Sequence, residues 1–341
     1  MKCCHLTSVH PYSDTRIFVK ECSSLAKAGF DVTLIAPAEK DVVINGVKII
    51  AVKKPSSRFM RVMTTVNDVY RKALAVDAGI YHFHDPELIR IGLKLKRKGK
   101  KVIYDVHEDV PRQLLAKYYL PEFSRRSISE RFEKYEDDAA KRFDQIIVVT
   151  PLLEQRFKAL NKNTTQVCNF PSLEEFGVTE TSWSKRKKET CYVGGISVIR
   201  GIREMVNALE NTDTTLHLAG SFSPPSLRDE IKKMDGWSRV MEHGFLSREK
   251  IRQLLSTSRI GLVLLHPTEN YIDAYPVKMF EYMAAGMPVV ASDFPSWKQM
   301  VEQYHCGICV NPMNVPAITD AINFLISHDE EAEQMGINGR K

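Results

Sequence analysis

Two carboxylates eight residues apart, Asp273 and Glu281, flank Pro276 in the stretch HPTENYIDAYPVKMFEYMAAGMPVVASD, His266 to Asp293. Proline ahead of an apolar run marks a helix start, Gly286 marks its stop, and VVAS reads as the strand that follows. The acids therefore fall at the mouth and in the first turns of a helix. Such an end offers unpaired N–H donors and the positive pole of the helix dipole to a phosphate. Glu281 is placed to accept hydrogen bonds from ribose hydroxyls, and Asp273 from a second polyol. The same string also reads as ordinary α/β core, with Met279, Phe280, Tyr282 and Met283 on a buried helix face. Lys278, three residues before Glu281, has an intrahelical ion pair as its plain explanation.

The elements that position these residues alternate between short apolar strands and helical patterns. CCHLTSV, IFVKECSSLAKAG and DVTLIAP open the chain, and VKIIAV, GIYHFHD, KVIYDVH and QIIVVT continue the series. Repetition of this kind predicts βαβ units and a parallel sheet. The polar run SLEEFGVTETSWSKRKKE after Asn169-Phe170-Pro171 reads as a linker. The pattern then restarts with TCYVGG, TLHLAG, VMEHGF, IGLVLLH, PVVASD and CGICVNP. The expected fold class is α/β with two Rossmann-like, doubly wound domains: residues 1–168, a linker at 169–189, and residues 190–341.

In doubly wound sheets ligands sit beyond the C-terminal ends of the strands, a rule that sorts the remaining polar residues. The loop SVHPYSDTRIF offers His10, Asp14, Thr15 and Arg16. Two later strand ends carry His82-Phe83-His84-Asp85 and His107-Glu108-Asp109. A metal site from His82, His84 and His107 is one reading, since His82 and His84 share a strand face. Without a carboxylate-rich hydrolase motif, no metal is expected. In the second series, Tyr192-Val193-Gly194-Gly195 and Arg200-Gly201 combine glycines that admit a ligand to the backbone with a cation for its charge.

The 341 residues are 43% hydrophobic and 26% charged, as in an ordinary globular protein. No apolar run reaches the ~20 residues that span a bilayer. The start, MKCCHLTSV, lacks a secretory pattern, and seven scattered cysteines fit a reducing compartment, so a cytoplasmic location is expected. Cys306 and Cys309 have C-x-x-C spacing but no second pair, and read as packing. The net charge of +6 is uneven: residues 1–168 carry 30 Lys and Arg against 20 Asp and Glu, the rest 18 against 22. Basic residues concentrate at Lys94–Lys101 and between Arg112 and Lys134, where LLAKYYLPEFSRR interleaves them with Leu, Tyr and Phe. That composition suits peripheral contact with an anionic membrane, or else a solvated helix face. No nucleic-acid-binding motif accompanies the charge, and no such partner is expected.

From Pro276 to Asp293 the chain resembles the family-4 retaining glycosyltransferases of the two-domain GT-B fold, whose signature is Glu, seven residues, Glu within P-x-K-x-x-E-Y-M-A-A-G-x-P-V-V-A-S-D. Asp273 stands where the family has the first Glu. The resemblance implies two domains facing across a cleft. It also implies a metal-independent, cofactor-free transfer from a nucleotide-diphosphate sugar, UDP favoured, to a glycan or lipid-linked acceptor in bacterial surface polysaccharide biosynthesis. Catalytic roles carry to His107, Asp273, Glu281 and Arg200. Donor binding carries to Gly194, Gly195, Arg200, Phe245, Leu246, Asp273, Ala274, Tyr275, Lys278 and Glu281. The acceptor side is assigned to His10, Arg16, His84 and Glu108.

Three departures from the family pattern are visible. The first loop lacks the usual glycine-rich turn, Gly195 occupies the place of a phosphate-binding Arg, and a C-terminal crossover helix is expected to be missing. Lys278 or Arg16 is the expected replacement for the lost cation. A GT-B sugar-nucleotide epimerase and a non-catalytic nucleotide-sugar-binding partner remain alternatives.

Overall fold

The computed structural model describes the whole chain except residues 55, 56, 58–63, 116–119, 174 and 177–181, and the side chain of Asn270. It divides into two compact units, Met1–Asn169 and Phe170–Lys341.

The first unit is built on eight strands: β1 (Lys2–Leu6), β2 (Asp31–Pro37), β3 (Val42–Ile44), β4 (Val47–Val52), β5 (Ile80–Phe83), β6 (Lys101–Val106), β7 (Gln145–Val148) and β8 (Thr164–Gln166). Their spatial order is β3-β4-β2-β1-β5-β6-β7-β8, parallel throughout except for the β3–β4 pair. The central strands are apolar on both faces because helices cover both. One face packs Leu6, Tyr81, Phe83, Tyr104 and Val106 beneath helices that include Val66–Val76 and Ile89–Arg97. Phe83 stacks on Tyr104 at 4.6 Å between ring centroids. Removing a ring so enclosed would cost about 3–5 kcal/mol. The other face packs Cys3, Leu34 and Ile49 against Ile17, Phe18 and Cys22. These last come from a π-type helix, Thr15–Cys22, which runs into Ser23–Lys27.

The second unit carries β9 (Thr190–Val193), β10 (Leu216–Ala219), β11 (Val240–Gly244), β12 (Ile260–Val263), β13 (Val289–Ser292) and β14 (Gly307–Val310). All neighbours pair in parallel in the order β11-β10-β9-β12-β13-β14. Strand order reverses at β9 and β12, the position where doubly wound sheets open a crevice for ligand. In the first unit the corresponding place is β1 and β5.

The segment expected as a linker contributes to the second unit's interior. Phe176 belongs to its core, and buried Arg186 donates to the carbonyls of Leu255, Ser258 and Ala285. A run of polar residues hid these anchors, because one aromatic and one arginine do not make a periodic pattern. The C-terminal helix Asp329–Arg340 lies against the helix Val277–Ala284, and Arg340 donates to the carbonyl of Ala284.

Candidate active site

In the first unit, polar side chains collect where β1 and β5 separate. Asp85 closes the loop after β1: its Oδ2 accepts from the Thr7 hydroxyl at 2.9 Å and from the amides of Ser8 and Val9 at 2.5 and 3.2 Å. Asp14 caps the π-type helix by accepting from the amides of Arg16 and Ile17, both at 2.9 Å, and lies 3.2 Å from His10 Nδ1. Burial would push Asp14 up, but its bonds to His10 and to the Ile17 amide prevail and hold it down at about 2. His10 is raised, because Asp14 and Asp85 outweigh its desolvation.

Arg16 is engaged inward. Its Nε and Nη2 grip both oxygens of fully buried Asp105 at 3.1 and 2.9 Å, and Nη1 donates to the carbonyl of Val167. Asp105 also meets His84 Nδ1 and His107 Nε2, each at 3.1 Å. Desolvation works against its charge, but His107, His84 and Arg16 win, so its carboxyl lies well below the usual range. The His84 side chain has no exposed surface, whereas that of His107 remains 18% exposed. Glu108, on the loop after β6, accepts from Gln113 Nε2.

In the second unit, three glycines stand at adjoining strand ends. The Gly194 amide donates to Ala219 and the Gly220 amide to Gly244, which draws the loops after β9, β10 and β11 together. Gly201, with φ +73°, begins the helix Ile202–Leu209, and a Cβ there would lie 1.9 Å from the carbonyl oxygen of Leu264. Only glycine permits that approach. It holds Arg200 at the crevice, where Nη1 donates to the Gly195 carbonyl at 3.2 Å and Nε to the Tyr271 hydroxyl at 3.3 Å.

Lys278, at the start of the helix Val277–Ala284, points its Nζ at the Tyr192 ring, 3.8 Å from the centroid. The ammonium is buried with no hydrogen-bond acceptor among the described residues. Desolvation, then the Arg200 charge, push it well below the ordinary lysine value. Glu281 pairs instead with Arg248, whose Nη1 is 2.6 Å from its Oε1, while Arg248 also binds Glu175. Lys278 therefore does not form the hydrogen-bonded intrahelical pair that its spacing from Glu281 suggests.

Asp273 is exposed at the C-terminal end of the helical turn Glu269–Ile272. The Ala274 carbonyl is taken by Trp297 Nε1 at 2.6 Å, and Tyr275 meets Phe280 edge to face. Phe245 is 87% exposed at the end of β11, while Leu246 packs on the core. The arrangement on this unit sets two neighbouring cations, a helix N-terminus and a paired carboxylate around one strand end, a setting for a diphosphate attached to a polyol.

Comparison with known proteins decides the class. Residues 16–169 match the family described as "Glycosyltransferase Family 4", and residues 178–341 match "Glycosyl transferases group 1". The chain belongs to the family-4, group 1 glycosyltransferases. It is 21% identical over 283 residues to the D-rhamnosyltransferase WbpZ of Pseudomonas aeruginosa, covering 78% of this chain and 69% of that one. The O-antigen chain mannosyltransferase C of Escherichia coli is 23% identical over 274 residues, 76% of this chain and 68% of that protein. The fold matches that of Anabaena HepE, solved with UDP and glucose, with a TM-score of 0.73 at 13% identity over 100% of this chain and 94% of that one. The transferase thus has the GT-B fold, with two parallel α/β sheets of eight and six strands.

Within this glycosyltransferase, Gly194, Gly195, Arg200, Lys278 and Glu281 all lie on the second unit, as do Phe245, Leu246, Asp273, Ala274 and Tyr275. His10, Arg16, His84, His107 and Glu108 lie on the first. Arg16 and His84 face its interior and hold Asp105 and His107. Sequence reasoning missed Arg248, which reaches Glu281 from 33 residues away along the chain, and Glu175, which binds Arg248 from 73 residues away. It also gave no role to Asp105, Asp85, Glu21 or His5. Charged residues inside apolar strands, such as Asp105 within KVIYDV, were the available signal.

The basic segments are partly neutralised. Lys96 and Lys101 pair with Asp144, Lys100 pairs with Asp77, and Lys94 lies over the Tyr70 ring. Arg112 pairs with Glu133 and Arg126 with Glu130, next to Phe123, which is 91% exposed. Lys117, Tyr118 and Tyr119 of the expected membrane face lie outside the described residues. Among the described residues, no helix is long and apolar enough to cross a membrane.

Proposed function

We propose that the enzyme moves a hexose from a UDP-sugar to a hydroxyl of a glycan or lipid-linked acceptor, with retention and without a metal at the diphosphate. The observation that carries this reading is the buried Lys278 amine, whose Nζ has no hydrogen-bond acceptor among the described residues and whose charge is disfavoured by desolvation and by Arg200. An anion bound beside Lys278 and Arg200 would relieve both the repulsion and the desolvation. UDP is favoured by the likeness to HepE and by the sequence pattern, and surface polysaccharide assembly by the relatives' names.

Each residue then has a role. Arg200, Lys278 and the first amides of Val277–Ala284 hold the diphosphate and stabilise its charge as the sugar bond breaks, in place of a cation. Glu281, oriented by Arg248, accepts from the ribose. Phe245 and Leu246 border the base, with the backbone of Asp273, Ala274 and Tyr275 and the Asp273 carboxylate toward the sugar. His107, fixed by Asp105, is the catalytic group of the first unit, with His10 and Glu108 on the acceptor side. The acceptor hydroxyl attacks from the face the diphosphate leaves. The enzyme works in the cytoplasm, and its basic half contacts an anionic membrane peripherally through the Phe123 region.

Thermal shifts with UDP-, GDP- and ADP-sugars, with and without EDTA, test this on wild type and Glu281→Gln. A shift selective for UDP-sugars, unchanged by chelation and reduced in the variant, is expected. A shift selective for GDP-sugars overturns the donor assignment. Shifts that need a divalent cation overturn the metal-free diphosphate.

A further inference from the structure

A second constellation, away from the proposed diphosphate residues, is built on the buried face of the first sheet. His5 on β1 lies in register with His82 on β5, and His84 follows two residues later on the same face. The π-type helix Thr15–Cys22 lowers Glu21 onto them. Glu21 Oε2 is 3.9 Å from His5 Nδ1, 4.0 Å from His82 Nδ1 and 3.9 Å from His84 Nε2. His5 Nδ1 and His84 Nε2 are 3.0 Å apart.

The side chains of His5 and His82 are 1% and 7% exposed, and neither carboxylate oxygen of Glu21, which faces their Nδ1 atoms, has a hydrogen-bond partner among the described residues. Buried polar atoms left this way are costly unless something else engages the group.

We propose that His5, Glu21, His82 and His84 bind a divalent first-row transition cation of the zinc type. The donor set, three imidazole nitrogens and one carboxylate oxygen without thiolate, suits Zn²⁺ and its neighbours Co²⁺ and Ni²⁺ rather than Mg²⁺ or Ca²⁺. Bonds of about 2.0–2.1 Å to a tetrahedral ion imply ligand separations of about 3.3 Å, within the spread seen here, so a small movement of the Glu21 side chain completes the set.

The surrounding groups are those that orient metal ligands. His84 turns Nδ1 to Asp105 Oδ2 at 3.1 Å, and His82 turns Nε2 to the same oxygen at 3.7 Å, leaving His84 Nε2 and His82 Nδ1 toward Glu21. The carboxylate behind His84 fixes that ring's tautomer and directs its Nε2 lone pair inward. Arg16 Nε lies 3.1 Å from Glu21 Oε1, an ion pair behind the carboxylate. The cation would tie β1, β5 and the π-type helix together beneath the loop that carries His10 and Asp14. All four ligands lie on the first unit, and the residues proposed to hold the diphosphate lie on the second.

The test uses the full-length protein stripped with chelator, then given one equivalent of Co²⁺ or Zn²⁺ in the absence of nucleotide. Wild type is expected to retain one ion per chain through gel filtration, with the visible bands of tetrahedral Co²⁺ and imidazole scattering in X-ray absorption. Zn²⁺ should raise its melting temperature, since a ligand of the native state stabilises it. Glu21→Gln and His82→Asn should lose the bands and the rise, and His217→Gln, in the second unit, should keep them. Failure of wild type to retain an ion, or equal retention by the Glu21 and His82 variants, overturns the site. If those variants do not fold, the wild-type stoichiometry and the count of imidazole scatterers decide. Because no donor is present, failure here leaves the transferase reading intact, and failure of UDP to bind leaves this site intact.

Discussion

Arg200 occupies the place of the side chain that Gly195 lacks. Its Nη1 donates to the Gly195 carbonyl, and a Cβ on Gly195 would stand 2.6 Å from that same nitrogen. The Arg200 guanidinium thus fills the space beside position 195. Arg200→Ala should weaken UDP binding by about ten- to a hundredfold, the value of about 1.5–3 kcal/mol for a hydrogen bond to a charged group. Isothermal titration reads this. Gly195→Arg combined with Arg200→Ala should recover part of the loss, whereas Gly195→Arg alone should not improve binding, because the two guanidinium groups compete for one space.

Lys278 should take up a proton when UDP binds. In the free enzyme, desolvation and Arg200 disfavour its charge, and a diphosphate beside it reverses both effects. Titrations in buffers of different ionisation enthalpy should show uptake in wild type and less in Lys278→Met. The same group makes a stability prediction. Its folded pKa lies below the unfolded one, so over that interval the unfolded chain binds more protons and stability rises with pH. Lys278→Met should flatten that rise, as measured by urea unfolding across the alkaline range.

The His10–Asp14 pair should matter most in mild acid. His10 is raised, so its contribution is full below its unfolded value and is lost as pH rises through the folded one. Asp14 is depressed to about 2, so its contribution is present above its unfolded value and is lost as pH falls toward 2. Both contribute between about pH 4 and pH 6.5, the unfolded values of the two groups. His10→Asn should therefore destabilise more at about pH 5.5 than at about pH 8.5, by less than ~1 kcal/mol because the pair is partly exposed. Denaturant midpoints at the two pH values check it.

Gly201→Ala should damage both fold and donor site. At φ +73° a Cβ would overlap the Leu264 carbonyl oxygen, and such strain costs about 1–3 kcal/mol before any backbone shift that displaces Arg200. Gly286→Ala, at φ +70° but 3.7 Å from its nearest neighbour, should cost stability through strain alone and leave UDP affinity nearly unchanged. Urea unfolding and UDP titration on both variants separate the two effects.

Much of the fold was legible because glycine and proline punctuate it. Pro276 and Gly286 bracket the helix Val277–Ala284, and the apolar runs of the sequence became β1, β2, β4 to β7 and β9 to β14. The strands β3 and β8 escaped notice because three residues carry no period. The segment 169–189 read as a linker from its polarity, which concealed the buried Phe176 and Arg186.

The site was legible in its local strings and not in its long-range pairs. Lys278 and Glu281 are three residues apart, yet Glu281 takes its partner Arg248 from another helix, and no spacing rule announces that. His5, Glu21 and His82 meet only because β1 lies beside β5 and one helix covers both. A histidine inside an apolar strand is the sole trace such a meeting leaves in the sequence.

Arg200, Lys278 and Glu281 are proposed to hold a UDP-sugar. A crystal structure of the enzyme with UDP tests it most directly. Both phosphates should lie within hydrogen-bonding distance of Arg200 and Lys278, the ribose hydroxyls on Glu281, and the uracil beside Phe245 and Leu246. A diphosphate bound elsewhere, or held through a metal ion with Lys278 still buried against Tyr192, would contradict it.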